Sequence, residues 1–90
     1  HRAKFNTSKL NGINFKGAII TEADFTKAEL NAANFENANL NGTKMVRAEL
    51  KKANFKGAKL NGTDFRDALL GGAIWTDGRI CAENSVGQCQ

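Results

Sequence analysis

Few side chains in this sequence have the type and spacing to do chemistry, and they sit at its ends. Cys81 and Cys89 lie eight apart in a polar tail running from Ala82 to Gln90, and His1 is the single histidine. A zinc site wants more ligands than two cysteines and a remote histidine supply. A catalytic redox pair usually has closer spacing, as in Cys-x-x-Cys. The plain reading is a disulfide between Cys81 and Cys89 that staples the C-terminal end, worth about 2–3 kcal/mol for so short a loop. A structural disulfide implies an oxidising compartment; two free thiols in the cytoplasm are the alternative. The Gly-x-x-x-x-Gly at Gly12 to Gly17 lacks the Lys-Ser/Thr of a phosphate loop. No nucleophile–base set and no metal-ligand cluster is legible, so the expectation is no catalytic residue, no metal and no cofactor: not an enzyme.

What positions these residues is a beat of five. From Phe5 to Trp75 every fifth residue is large and apolar: Phe5, Leu10, Phe15, Ile20, Phe25 and so on, fifteen positions without a miss in a chain that is 41% hydrophobic. Two residues before each lies a second comb, alanine at eleven of its fifteen positions, with Ser8, Ile13, Thr43 and Thr63 the others. Between them stand mostly Asn, Lys, Glu, Asp, Thr and Gly. A period of five fits neither an amphipathic helix nor a strand. On a helix, five-residue steps would wind the apolar residues around every side. The comb therefore reads as an internal repeat whose units must coil until equivalent positions stack. Large side chains then fill the axis, and alanine lets the corners come close.

Ala23-Asp24-Phe25, Ala33-Asn34-Phe35, Ala38-Asn39-Leu40 and Ala53-Asn54-Phe55 carry a resemblance to the pentapeptide-repeat family, which covers about residues 3–75. The resemblance implies an all-β fold, a right-handed quadrilateral parallel β-helix with twenty residues per coil. About four coils would span residues 1–75, with a disulfide-stapled cap over 76–90. Side one would then hold Phe5, Phe25, Met45 and Phe65, and side three Phe15, Phe35, Phe55 and Trp75. Side two would hold Leu10, Leu30, Leu50 and Leu70, and side four Ile20, Leu40, Leu60 and, if the beat continues, Ile80. Aromatic and aliphatic walls alternate, which independently supports a fourfold coil. Trp75, the last and largest ring, would lid the core.

Outward columns follow from the same stacking. Lys4, Asp24, Lys44 and Asp64 alternate in sign, Lys16, Glu36 and Lys56 form a second column, and Asn14, Asn34 and Asn54 an amide ladder. Gly12, Gly17, Gly42, Gly57, Gly62 and Gly72 fall two after a centre, where a type II turn needs positive φ. Side one has Thr7, Lys27, Arg47 and Asp67 there instead, so its turns are expected to differ in type. Nothing before residue 15 reads as a cap, so the first coil should present an open edge, where Ile13 is tolerable in place of alanine.

The net charge is +4, and every Phe and the Trp are centre residues. No wall is a single-sign stripe of the kind phosphates select, and no aromatic is left outside to stack on a base, so nucleic acid is not an expected partner. No apolar run is long enough to cross a membrane. The family's best-known activity is DNA mimicry, in which dimeric members with an acidic surface bind and protect type II topoisomerase; this chain is basic and has under four full coils. The ending Trp75-x-Asp77-Gly78 with Cys81 and Cys89 resembles that of exported cyanobacterial and plastid members, implying periplasm or thylakoid lumen. The expected partner is another protein, bound on side one around Lys27, Lys44, Arg47 and Arg66, its most charged wall. The open first coil is the other expected contact, to be covered by a second copy of the chain, by a partner or by an upstream segment.

Overall fold

The computed structural model describes residues 2–90, so His1 lies outside the described residues. The chain coils with a strict register of twenty residues. Parallel bridges join Lys4 to Asp24, Asp24 to Lys44 and Lys44 to Asp64, and three further columns repeat the same step. Each wall contributes one bridging residue per coil, so the sheet is a stack of isolated bridges rather than of continuous strands. The repeat is too short for more, because a corner follows every bridge. Coil one comprises residues 2–20, coil two 21–40, coil three 41–60, and coil four begins at Asn61. The Cα envelope measures 30 × 23 × 23 Å.

The backbone bonds explain why five residues suffice. Each centre N–H donates to the next coil, as Phe25 N does to Lys44 O at 2.7 Å. Each bridging N–H donates to the previous coil, as Asp24 N does to Ala3 O at 2.9 Å. The comb residue closes a β-turn back to the centre, Ala28 N to Phe25 O at 2.9 Å being one example. Side chains of the centres point into the axis. Phe25, Phe35, Phe55, Leu30, Leu40, Met45, Leu50 and Leu70 are completely buried, as are most alanines of the comb.

The walls sort as their residue types imply. Rings stack along side one, Phe5 on Phe25 at 4.9 Å, and along side three, Phe35 on Phe55 at 5.2 Å. Across the axis they meet edge-on, Phe25 to Phe35 at 6.1 Å and Phe55 to Phe65 at 5.8 Å. Both arrangements suit the ring quadrupole. Trp75 is half-buried and lies against Phe55 and Phe65, each at 5.4 Å.

Three expectations are corrected. The corners of side one do not differ from the rest: Thr7, Lys27, Arg47 and Asp67 have φ of 60°, 61°, 60° and 58°. Their turns close by the same bond, Ser8 N to Phe5 O at 3.1 Å and Ala48 N to Met45 O at 3.1 Å. The left-handed conformation costs an ordinary residue roughly 1–2 kcal/mol. It is imposed nonetheless, because the corner N–H then bonds the next coil, Lys27 N to Val46 O at 2.9 Å and Arg47 N to Arg66 O at 2.9 Å.

The amide ladder is also displaced. Asn14, Asn34 and Asn54 bridge through their backbones, but each Oδ1 accepts from the amide two residues on in its own turn, at 2.9–3.0 Å. The side chains that tie coil to coil are corner asparagines: Asn11 Oδ1 accepts from Asn31 N, Asn31 Oδ1 from Lys51 N, and Asn41 Oδ1 from Asn61 N. A wall asparagine sits beside its own turn amide, whereas a corner asparagine overhangs the amide of the next corner.

Ile80 does not continue side four. After Asp77-Gly78 the chain reverses; Ile80 bridges antiparallel to Ile74 and is 70% exposed. A second antiparallel bridge joins Val86 to Leu69. The tail supplies the carbonyls a fifth coil would have offered: Leu70 N donates to Ser85 O, Gly72 N to Cys81 O and Trp75 N to Arg79 O, at 2.8–3.1 Å.

Candidate interaction surface

The cysteines come together in this tail. Cys81 and Cys89 form a disulfide with Cα atoms 4.9 Å apart; Cys81 is buried against the core and Cys89 is half-buried. Cys81 N donates to Ala73 O at 2.8 Å, so the staple is tied directly to the last corner of the coil. Gly71 makes the close packing possible, since a Cβ there would collide with the Glu83 carbonyl oxygen. That glycine stands one residue off the glycine beat, which is the signal in the sequence for a chain crossing at that point. Ser85, buried beneath the tail, accepts the Gln90 amide on Oγ at 3.0 Å. The tail covers walls two and three. Beside wall one it leaves an open groove of about 750 Å³, lined by Thr63 to Asp67 and Val86 to Gln88.

Lys27, Lys44, Arg47 and Arg66 all lie exposed on side one. The structure compensates two of them internally. Arg66 holds Asp64 through three contacts, Nη2 to Oδ2 at 2.8 Å and Nε to both Oδ1 and Oδ2 at 3.1 Å, and Arg47 faces Asp67 at 3.9 Å. Hydrogen bonding and charge from Arg66 hold the Asp64 carboxyl below its ordinary value, and Asp64 in turn raises Arg66. Asp24 is lowered chiefly by the Thr26 hydroxyl, which donates to Oδ1 at 2.6 Å, then by the Thr26 amide, with Lys44 and Lys4 adding charge. On side three Lys16 pairs with Glu36 at 3.8 Å, and at the corner before side one Arg2 pairs with Glu22 at 3.0 Å.

The comb threonines were legible only as exceptions to alanine, and they behave differently. Thr63 Oγ1 donates to Leu40 O at 2.8 Å, while the fully buried Thr43 Oγ1 has no hydrogen-bond partner among the described residues. Among the described residues no group of three or more His, Cys, Asp or Glu side chains is arranged to hold a metal ion, and no helix is long and apolar enough to cross a membrane.

The filled axis, the corner at every fifth residue and the twenty-residue register agree with what the sequence matches. Residues 1–37 and 33–72 fit the pentapeptide repeats family in 8 copies. The chain belongs to the pentapeptide-repeat family. Pentapeptide-repeat proteins fold as right-handed quadrilateral β-helices and are in general non-enzymatic structural modules. Among solved structures, a pentapeptide repeat protein from the cyanobacterium Cyanothece 51142 is 30% identical with a TM-score of 0.69, over 70% of this chain and 43% of that one. A pentapeptide repeat protein from the Arabidopsis thaliana thylakoid lumen is 21% identical with a TM-score of 0.59, over 96% of this chain and 79% of that one. A third, HetL from Nostoc, is 30% identical with a TM-score of 0.44, over 88% of this chain and 41% of that one. The chain thus spans under half the length of the Cyanothece and Nostoc proteins. No match is found among curated proteins.

Proposed function

We propose that this pentapeptide-repeat chain is a non-enzymatic module that binds another protein on the outside of a right-handed β-helix. The observation that carries the reading is the filled axis. Every centre from Phe25 to Phe55 is buried side by side with its neighbours, which leaves flat walls and corners as the surfaces on offer. Catalysis calls for convergent polar groups in a cleft, and flat walls suit a broad protein contact better. Counted by wall, side one carries the most charge: Lys27 and Lys44 stand in no close ion pair among the described residues, while Arg47 and Arg66 each face an aspartate. The edge of the first coil is a weaker contact for a second copy. Arg2, Lys4, Lys9 and Lys16 ring it without an acid, so two such edges meeting would oppose like charges.

The setting we propose is an exported, oxidising one, periplasm or thylakoid lumen. Its support is the closed Cys81–Cys89 pair. Mass measured after thiol alkylation on protein from its native source tests this: both cysteines should resist alkylation until reduced. Prompt alkylation of both would return the protein to a reducing compartment. The binding reading is tested by photo-crosslinkers placed singly on each wall, in the native host. A recurrent adduct on one wall supports it, and absence of any adduct on all four walls removes it.

A further inference from the structure

Sorted by wall, the charges nearly balance; sorted by coil, they do not. Coil one carries Arg2, Lys4, Lys9 and Lys16 and no acid, and coil two answers with Glu22, Asp24, Glu29 and Glu36 directly in register. Coil three then carries Lys44, Arg47, Lys51, Lys52, Lys56 and Lys59 against the single acid Glu49, and all six cations are exposed. Coil four answers only one of them by an ion pair: Asp67 lies against Arg47, and Asp64 is taken by Arg66 of its own coil. Glu36, the acid of the Lys56 column, pairs with Lys16. Glu83 of the tail lies across Gly72 from the stem of Lys52 without pairing with it. Lys51, Lys52, Lys56 and Lys59 therefore stand in no ion pair among the described residues, on consecutive corners and walls from side two round to side four.

Resting on the reading of the chain as a protein-binding module, we infer that this belt around coil three is the docking surface, and that its occupant is an extended acidic polypeptide segment. The height of the belt selects the occupant. One coil is about 4.8 Å tall, the spacing of neighbouring strands, so one extended chain fits along it. A nucleic-acid duplex, whose major groove alone is about 12 Å wide, lies at the same time over the acids of coil two. A membrane surface is flat and meets one wall, whereas the belt turns two corners. A single nucleic-acid strand finds no outward aromatic on which to stack. Acidic side chains meet the lysines, and the Asn54 amide at the middle of wall three adds a polar contact. An excess of like charge on one coil destabilises a fold, which a bound polyanion relieves.

The probe is a fluorescein-labelled peptide of alternating Glu and Gly, about twelve residues long, followed by anisotropy at about 50 mM and about 500 mM salt. Two variants of equal net charge are compared with the wild type: Lys51→Gln with Lys52→Gln and Lys56→Gln, and Lys4→Gln with Lys9→Gln and Lys16→Gln. The expected result is salt-sensitive binding by wild type and the first-coil variant alike, and about tenfold or greater weakening in the belt variant. Should the belt variant lose its thermal melt, the single substitutions Lys52→Gln and Lys56→Gln are read instead, each expected to weaken binding about threefold. Absence of peptide binding by wild type at low salt overturns the inference, and so does equal weakening in both variants. Tighter binding of a DNA duplex or of phosphatidylserine vesicles than of the peptide overturns the choice of occupant. If the peptide fails while the crosslinkers capture a partner on another face, the belt falls and the binding module stands; if no crosslinker captures anything, the module itself falls.

Discussion

The two ends of the rod are built from the same pentad and differ in what lies against them. In coil one Phe5, Leu10, Ile13 and Phe15 are only half-buried, and the bridging residues Lys4, Lys9, Asn14 and Ile19 pair on one side alone. At the other end the chain doubles back, Ser85 and Cys81 supply carbonyls to Leu70 and Gly72, and Leu70 and Ala73 are wholly buried. Turn geometry does not separate the ends, since φ at Thr7 and Asp67 is 60° and 58°. A pentad buries its centre completely when a coil or a substitute for one lies on each side; in coil one only Ile20, at 7% exposure, comes near that. Stability in such an array is a sum of neighbour contacts, so it should vary along the axis while the local conformation does not.

The largest expected effect tests this gradient directly. Phe35 is fully buried, stacked between Phe15 at 5.7 Å and Phe55 at 5.2 Å. Phe35→Ala should cost about 3–5 kcal/mol in urea unfolding, and Phe5→Ala about half as much or less. Equal costs would break the comparison. Replacing Cys81 and Cys89 by serine should cost about 2–3 kcal/mol. In hydrogen exchange the loss should appear first at the Leu70, Gly72 and Gly87 amides, with coil one unchanged; uniform loss would mean that the ends are not independent.

Smaller effects sharpen the picture within the core. Thr43 and Thr63 occupy the same column one coil apart, yet only Thr63 has a partner for its hydroxyl. Thr43→Val should therefore raise stability by about 1 kcal/mol and Thr63→Val lower it by about 1 kcal/mol, read from chemical denaturation. Two changes of the same sign would refute that assignment. The smallest effect is a pH dependence near the first two coils. Asp24 is held below its ordinary value of 3.8, so its contribution is present above that pH and is lost as pH falls through the lower folded value. Below about pH 4 the melting temperature should drop, and Asp24→Asn should flatten that limb; an unchanged slope would remove Asp24 from the account.

How much of this was legible follows from where each constraint originates. Fifteen centres at one spacing fix the register, because a single slip would expose every large side chain at once. The aromatic and aliphatic walls and the Cys81–Cys89 bond can be read from residue type and position. The corners of side one escape the sequence because glycine marks a left-handed residue only where the chain has no stronger reason to adopt one. At Lys27 and Arg47 the bond to the next coil is that reason, and it cannot be seen in a single pentad.

By itself, then, the sequence determined the coil: its period, its filled axis and the residue types along each wall. These are local requirements restated every five residues, and repetition makes them unambiguous. Tertiary structure alone decided the direction of the tail after Gly78, the choice of Asn11, Asn31 and Asn41 over Asn14, Asn34 and Asn54 as ties between coils, and the isolation of the Thr43 hydroxyl. Each depends on which backbone group of a neighbouring coil lies within hydrogen-bond reach, and that neighbour is about twenty residues away along the chain.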